Sequence, residues 1–200
     1  MFGTTRLAMV AFAAAAVASP AAAQQPVWQF DSAHSAAQFS VRHMMVSTVR
    51  GQFGRMTGTV QWDGKDIRTA VIEATVDVAS VNTREEKRDA HLKSPDFFDA
   101  QKFPTMTFKS ISVEPAAPGK ATLTGDLTVR GVTKRVVFDL EGPTPILTQG
   151  STMRVGATAT ATINRQDFGV SWSRLLDNGG LVAGNDVTLT IDIEAVRKVQ

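Results

Sequence analysis

Val155-Gly156-Ala157-Thr158-Ala159-Thr160-Ala161-Thr162-Ile163 alternates small or apolar residues with threonines. A strand sends successive side chains to opposite faces, so Val155, Ala157, Ala159, Ala161 and Ile163 share one face and Thr158, Thr160 and Thr162 the other. The same period runs outward from this stretch. Towards the C-terminus Val187, Leu189, Ile191 and Ile193 alternate with Thr188, Thr190 and Asp192. Upstream, Ile72, Ala74, Val76 and Val78 alternate with Glu73, Thr75 and Asp77, and Leu123, Leu127 and Val129 stand against Thr122, Thr124, Asp126 and Thr128. Strands with one apolar and one wet face suit an antiparallel sheet.

Further strands are expected over Val27–Phe30, Gln38–His43, Gly51–Trp62, Thr105–Glu114 and Val132–Leu140, about nine segments in all. A sheet of that size folds into two layers or closes on itself, and mid-run glycines at Gly58, Gly125 and Gly156 supply curvature. The pattern therefore implies an all-β, antiparallel, eight-stranded barrel. Within Thr105–Glu114 the apolar phase slips from Met106 and Phe108 to Ile111 and Val113, which predicts a bulge near Lys109 and Ser110. One short helix is expected over residues 84–92, opened by Thr83 with Glu86 three residues on. Loops are expected at Pro115–Gly119 and Pro143–Gly150.

The 200 residues are 43% hydrophobic and 20% charged, which excludes a disordered or collagen-like chain and suits one domain. With 21 Lys and Arg against 19 Asp and Glu and no basic block, a nucleic-acid partner is not expected. The absence of cysteine removes disulfides, thiolate metal sites, a cysteine nucleophile and a lipidated cysteine anchor. Met1–Arg6 carries one positive charge, Leu7–Ala18 is an alanine-dominated apolar run, and Ala21 and Ala23 are small. That order reads as a cleavable signal peptide over residues 1–23, its apolar run shorter than the roughly 20 residues of a bilayer-spanning helix. The mature domain then spans residues 24–200.

Chemistry-bearing residues are few. His34, His43 and His91 are the only histidines, and none stands at a recognised metal-ligand spacing, so no metal and no catalytic residue is expected. Ser35 and His34 are strand neighbours that point to opposite faces. Asp89 and His91 read as an interaction that pins the helix across a barrel end. Phe39-Ser40-Val41-Arg42-His43 puts His43 on one face with Phe39 and Val41, either as a satisfied core histidine or as a polar contact in a cavity. Phe97, Phe98, Phe103, Phe108, Phe168 and Trp172 gather at connections, as plugs of the barrel ends or as the mouth of an apolar cavity. The inward phase is rich in small residues, among them Ala74, Ala157, Ala159, Ala161, Gly58 and Gly125. Interiors pack densely, so an underfilled barrel either flattens or holds an apolar guest.

Several motifs together resemble the YceI family: Asp31-Ser32-Ala33-His34-Ser35, Phe39-Ser40-Val41-Arg42-His43-Met44, Val49-Arg50-Gly51-Gln52-Phe53, Arg88-Asp89-Ala90-His91-Leu92, Asp96-Phe97-Phe98-Asp99, Gly125-Asp126-Leu127-Thr128-Val129-Arg130-Gly131-Val132-Thr133 and Asn164-Arg165-Gln166-Asp167-Phe168-Gly169-Val170. The resemblance runs in order from about Trp28 to Ile193. It implies a periplasmic, lipocalin-like barrel that encloses a long polyisoprenoid, quinone or similar lipid, acts as a binder or carrier, forms a homodimer and has no established catalytic centre. A cofactor is not implied, and contact with a membrane would be transient.

Strand phase and position single out Phe39, Val41, His43, Phe97, Phe98, Phe108, Leu127 and Trp172 as ligand contacts, whereas Asp31, His34, Arg88, Asp89 and Arg165 read as polar clasps. Two alternatives stand beside the carrier. One is a stress-related interaction module whose lipid is structural. The other is an isoprenoid-modifying enzyme that uses His34, His43 or His91 with Asp89.

Overall fold

Each of the quoted alternations forms a strand, except that Val78 falls just past the end of its strand, in a 3-10 turn. The computed structural model describes residues 25–175 and 180–199, so the expected leader at residues 1–23 lies outside the described residues. The strands are β1 (Val27–Phe30), β2 (Ala36–His43), β3 (Ser47–Phe53), β4 (Met56–Gln61), β5 (Val71–Asp77), β6 (Val81–Asn82), β7 (Thr105–Ala117), β8 (Lys120–Val129), β9 (Val132–Glu141), β10 (Leu147–Gln149), β11 (Thr152–Asn164) and β12 (Ala183–Lys198). The one α-helix among the described residues, α1, is Glu86–Lys93. No described helix is long and apolar enough to cross a membrane.

Strands β11, β9, β8, β7, β5, β4, β1 and β12 follow one another edge to edge, and the pairing of β11 with β12 closes the ring. Every ladder is antiparallel. Of the remaining four strands, β2, β3 and β6 lengthen three of these eight staves, and β10 follows β9 along the edge of β11. β2 continues β1 along the same edge of β12, from Ala36 opposite Asp192 to His43 opposite Ala183. β3 pairs with β2 and runs on through Gly54-Arg55 into β4, while β6 pairs with β3 after the 3-10 turn Val78–Ser80 that interrupts the line of β5. The eight-stranded antiparallel barrel expected from periodicity is thus present, with its first three staves each broken in two.

Local expectations meet different outcomes. The stretch Gly51–Trp62 is two strands. The loop at Pro143–Gly150 contains β10, and β7 runs through Ala117 into the expected Pro115–Gly119 loop. The bulge falls one residue beyond its expected place: the β7–β8 register shifts between Ser110 and Ser112, and Ile111 turns outward, half exposed. The displaced Ser110 hydroxyl accepts a 2.8 Å bond from the Ile72 amide. Thr83 does not cap the helix. Glu85 is the N-cap, its carboxylate accepting from the amides of Lys87 and Arg88, because the Thr83 hydroxyl is engaged elsewhere.

The core has two unlike ends. Around β1 and β4, Trp28 is wholly buried and its Nε1 donates to the Trp62 carbonyl at 3.1 Å, the two rings 6.1 Å apart. Val113, Leu140, Val155 and Ala195 pack there as a solid plug. At the other end α1 and the turns that follow it lie across the opening.

Candidate functional site

The interior glycines are not empty space. A Cβ on Gly58 would lie 2.4 Å from the Phe30 ring, and one on Gly125 2.2 Å from the Phe108 ring. The small residues on the inward phase are therefore partly filled by aromatic rings from neighbouring strands, which corrects the reading of those two positions as voids. A partly open space nonetheless remains between the plug and the helix-covered end. Its volume is about 190 Å³.

Of the residues singled out by phase, Phe39, Val41, Phe97, Phe98, Phe108 and Leu127 line this cavity. Phe39, Phe53 and Phe98 form a chain of rings across it, 5.7 and 5.8 Å between centroids. Two other singled-out residues do not reach it. His43 shares its face with Val41 but sits half buried at the last position of β2, beyond the cavity's rim. Trp172 packs from outside on Phe97, 5.2 Å between ring centres, and so backs the wall rather than lining it. The lining also includes Met56, Leu92, Met106, Phe168 and Val170, none of which phase had selected. Leu92 is the apolar face of α1, and the other signal available was proximity to an aromatic cluster.

Three polar clasps hold the covered end together. Arg165 is buried, 6% exposed, and borders the cavity without a carboxylate partner. Its Nε donates to the Gly184 carbonyl at 2.8 Å, Nη1 to the carbonyls of Val170 and Trp172 at 2.6 and 2.8 Å, and Nη2 to the Ala183 carbonyl and the Asn185 side chain at 3.2 and 3.3 Å. All five guanidinium donors are spent on oxygens, which is how a charge can be buried without an ion pair. Burial lowers its pKa, yet a guanidinium stays protonated. In the second clasp, the Thr83 amide and hydroxyl donate to Asp89 Oδ1 at 2.8 and 2.6 Å, while Arg88 donates from Nε to the Thr83 hydroxyl and from Nη2 to its carbonyl. Third, Arg130 joins the Phe97 and Gly169 carbonyls, at 2.7 and 3.0 Å.

Titratable pairs lie outside the cavity. The expected interaction of Asp89 with His91 is absent, because Asp89 is taken by Thr83; His91 Nε2 is 2.9 Å from Asp96 Oδ2, and its ring stands edge-on to Phe97 and Trp172 at 4.9 and 5.2 Å. At the plugged end His34 Nδ1 is 3.0 Å from Asp31 Oδ2. The hydrogen bond with His34, then the bond from the Ala33 amide, lower the Asp31 pKa, and Asp31 in turn raises that of His34. Ligand atoms of Asp31, His34 and Glu194 lie within 4.8 Å of one another. Arg154 Nη1 already stands among them, bonded to Glu194 and 3.2 Å from Asp31, so a cation's place is taken by a guanidinium. None of the three histidines borders the cavity. Among the described residues its polar edge is Gln38, Thr107 and Arg165, and no histidine or carboxylate stands beside the Thr107 hydroxyl in that lining.

A barrel of this fold is found in known proteins. The model of the YceI-like domain matches residues 28–195. The chain belongs to the YceI family. A relative from Staphylococcus aureus strain MSSA476, a UPF0312 protein, is 38% identical over 167 residues, covering 82% of this chain and 94% of its own. The crystal structure of the Campylobacter jejuni YCEI protein superposes with a TM-score of 0.67 at 30% identity over 78% of this chain and 90% of that one. A polyisoprenoid binding domain from Saccharophagus degradans shares the fold, with a TM-score of 0.63 at 15% identity over 86% and 98% of the two chains. The lipocalin-like barrel implied by the sequence motifs is therefore the YceI barrel.

Proposed function

We propose that this YceI protein is a binder or carrier that encloses the apolar chain of a long lipid, an isoprenoid or quinone-like molecule, beneath α1. The observation that carries this reading is the cavity itself, walled by side chains from strands around the ring and from α1 and nearly free of polar groups. Burying about 400 Å² of hydrocarbon chain contributes on the order of 10 kcal/mol before ordering costs, so tight binding needs little recognition of a head group. The cavity takes one segment of such a chain, and unbranched methionines at positions 56 and 106 can yield to the rest. Support comes also from the fold shared with the Saccharophagus polyisoprenoid binding domain.

In this reading the leader at residues 1–23 delivers the protein to the periplasm, where a lipid chain needs shelter from water, and the working form is a homodimer. No covalent chemistry on the lipid is part of the proposal, because neither histidine–carboxylate pair reaches the cavity. Native mass spectrometry of the protein purified without detergent, followed by solvent extraction, tests it. One long-chain lipid per chain is the expected result. An empty protein that added isoprenoids neither enter nor stabilise would overturn it.

A further inference from the structure

The hairpin between β2 and β3 projects past the covered end of the barrel and carries Met44-Met45-Val46 at its tip. These three side chains are 42%, 62% and 82% exposed. Isolated exposed apolar residues are ordinary; three in succession on a projecting turn are not. The turn itself is closed by the Val46 amide donating to the His43 carbonyl at 3.0 Å, with Met44 at φ 51° and Met45 at φ 61°. Such turns favour asparagine and glycine, so methionine stands here against the local backbone preference. What it contributes is apolar surface.

The patch extends to a second segment. The Met44 amide donates to the Val182 carbonyl at 2.9 Å, the Val182 amide to the Arg174 carbonyl at 2.9 Å, and Leu175, 70% exposed, bridges to Leu181. The hairpin itself carries charge of one sign: from Ala36 to Phe53 there are two arginines, Arg42 and Arg50, and no Asp or Glu. Arg42 spans the turn, donating to the Thr48 hydroxyl and the Met45 carbonyl, which holds its cation beside the methionines. The location is specific as well. Val41 and Ala183, neighbours of the hairpin's last rungs, both line the cavity.

We infer that the tip Met44-Met45-Val46, with Leu175 beside it, is the surface by which this protein docks on an anionic lipid bilayer, presenting the covered end of its cavity to the membrane. Apolar side chains enter the interface and the arginines remain at the level of the phosphates, which is the division of labour of interfacial binding. The inference rests on the carrier reading above and places the exchange of lipid at one end of the barrel.

Vesicle flotation tests it, with the wild-type protein mixed with vesicles of phosphatidylcholine alone or of equal phosphatidylcholine and phosphatidylglycerol. The wild type is expected to float with the mixed vesicles, about tenfold less with the neutral ones. A variant combining Met44→Asn, Met45→Gly and Val46→Ser suits the turn better than the native residues and so keeps the fold. Its bound fraction should fall at least about tenfold. Equal flotation of wild type and variant overturns the inference, as does a wild type that floats with neither vesicle. A wild-type dimer that the variant splits, without vesicle binding, overturns it too and makes the tip an interface between copies. Extracted lipid is measured on the same samples: a loaded protein that ignores vesicles sinks the docking surface alone, whereas a protein that never holds lipid sinks the carrier reading.

Discussion

The ring of Phe108 occupies the space where Gly125 would carry a side chain, 2.2 Å from the position of its absent Cβ. Phe30 stands over Gly58 in the same way, and Phe39 over Gly51. Each pair lets an aromatic ring lie flat on a neighbouring strand, and two of the rings, Phe39 and Phe108, bound the cavity. Glycine at these positions therefore sets the depth to which the wall aromatics sink.

Gly125→Ala should destabilise the barrel by about 1–3 kcal/mol through overpacking. The Phe108 ring could swing aside, but the Lys109 carbonyl, 2.6 Å from the new Cβ, belongs to the backbone of β7 and cannot. Urea unfolding measures the loss. Unchanged stability would mean that β7 and β8 separate more easily than their ladder suggests.

Arg165→Met should cost about 2–5 kcal/mol, since it leaves carbonyls of Val170, Trp172, Ala183 and Gly184 without a donor in a buried place. Arg165→Lys keeps the charge but not the fork of donors, and recovers only part of the loss. Thermal unfolding of the two variants ranks them. If lysine restored full stability, charge rather than geometry would be the reason for the residue.

Filling the cavity should abolish lipid retention while leaving the barrel folded. Met106→Trp adds bulk at a lining position near the start of β7, with a packing cost of about 1–3 kcal/mol. Solvent extraction of the purified variant is expected to release little or no lipid, and circular dichroism to show an unchanged sheet. A variant as fully loaded as the wild type would place the ligand elsewhere.

The pair of His34 and Asp31 should be visible in the pH dependence of stability. His34 has a folded pKa above its ordinary value of about 6.5, so its contribution is complete below that value and is lost as pH rises through the folded pKa. Asp31 has a folded pKa below its ordinary value of about 3.9, and its contribution is lost only as pH falls through the folded pKa. Titration of the His34 imidazole by NMR should give a midpoint above that of an unpaired histidine, and Asp31→Asn should bring it down. A midpoint indifferent to Asp31→Asn would assign the shift to another group.

Thr83→Val should loosen α1. The helix buries none of its residues, and its first turns are tied to the barrel through the Thr83 hydroxyl, which serves Arg88 and Asp89 together. Losing both bonds costs about 1–3 kcal/mol, and amide exchange should accelerate over Glu86–Lys93. Exchange that rises equally everywhere would show that α1 and the barrel open as one unit.

Strand identity was legible because alternation is local: Val155–Ile163 declares its two faces without reference to anything distant. The breaks at Gly54-Arg55 and Val78–Ser80 were not, since they arise where one stave changes neighbours from β1 to β2, a fact of tertiary pairing. Thr83 misled because a hydroxyl before a helix has two possible employments, and only the fold shows that Arg88 and Asp89 claim it. For the site, phase assigned a face but no depth. Phe39, Val41 and His43 have the same phase, yet the cavity stops at Val41 although the strand pairing continues through His43. Nothing in the spacing around Arg165 marks an arginine for burial, because the carbonyls that receive it come from the loop after Gly169 and from the first residues of β12, distant in sequence.

The last strand carries the closure of the ring: β12 meets β11 along one edge and β1 followed by β2 along the other. During synthesis, then, the first staves wait for a partner made from the final residues. Until Ala183–Lys198 has been produced there is no ring and no cavity, and β1, β2 and β11 each keep a free edge. A chain truncated or stalled before residue 183 is therefore open-edged sheet, a substrate for chaperones and proteases, and without its last strand it has no closed barrel in which to hold a guest.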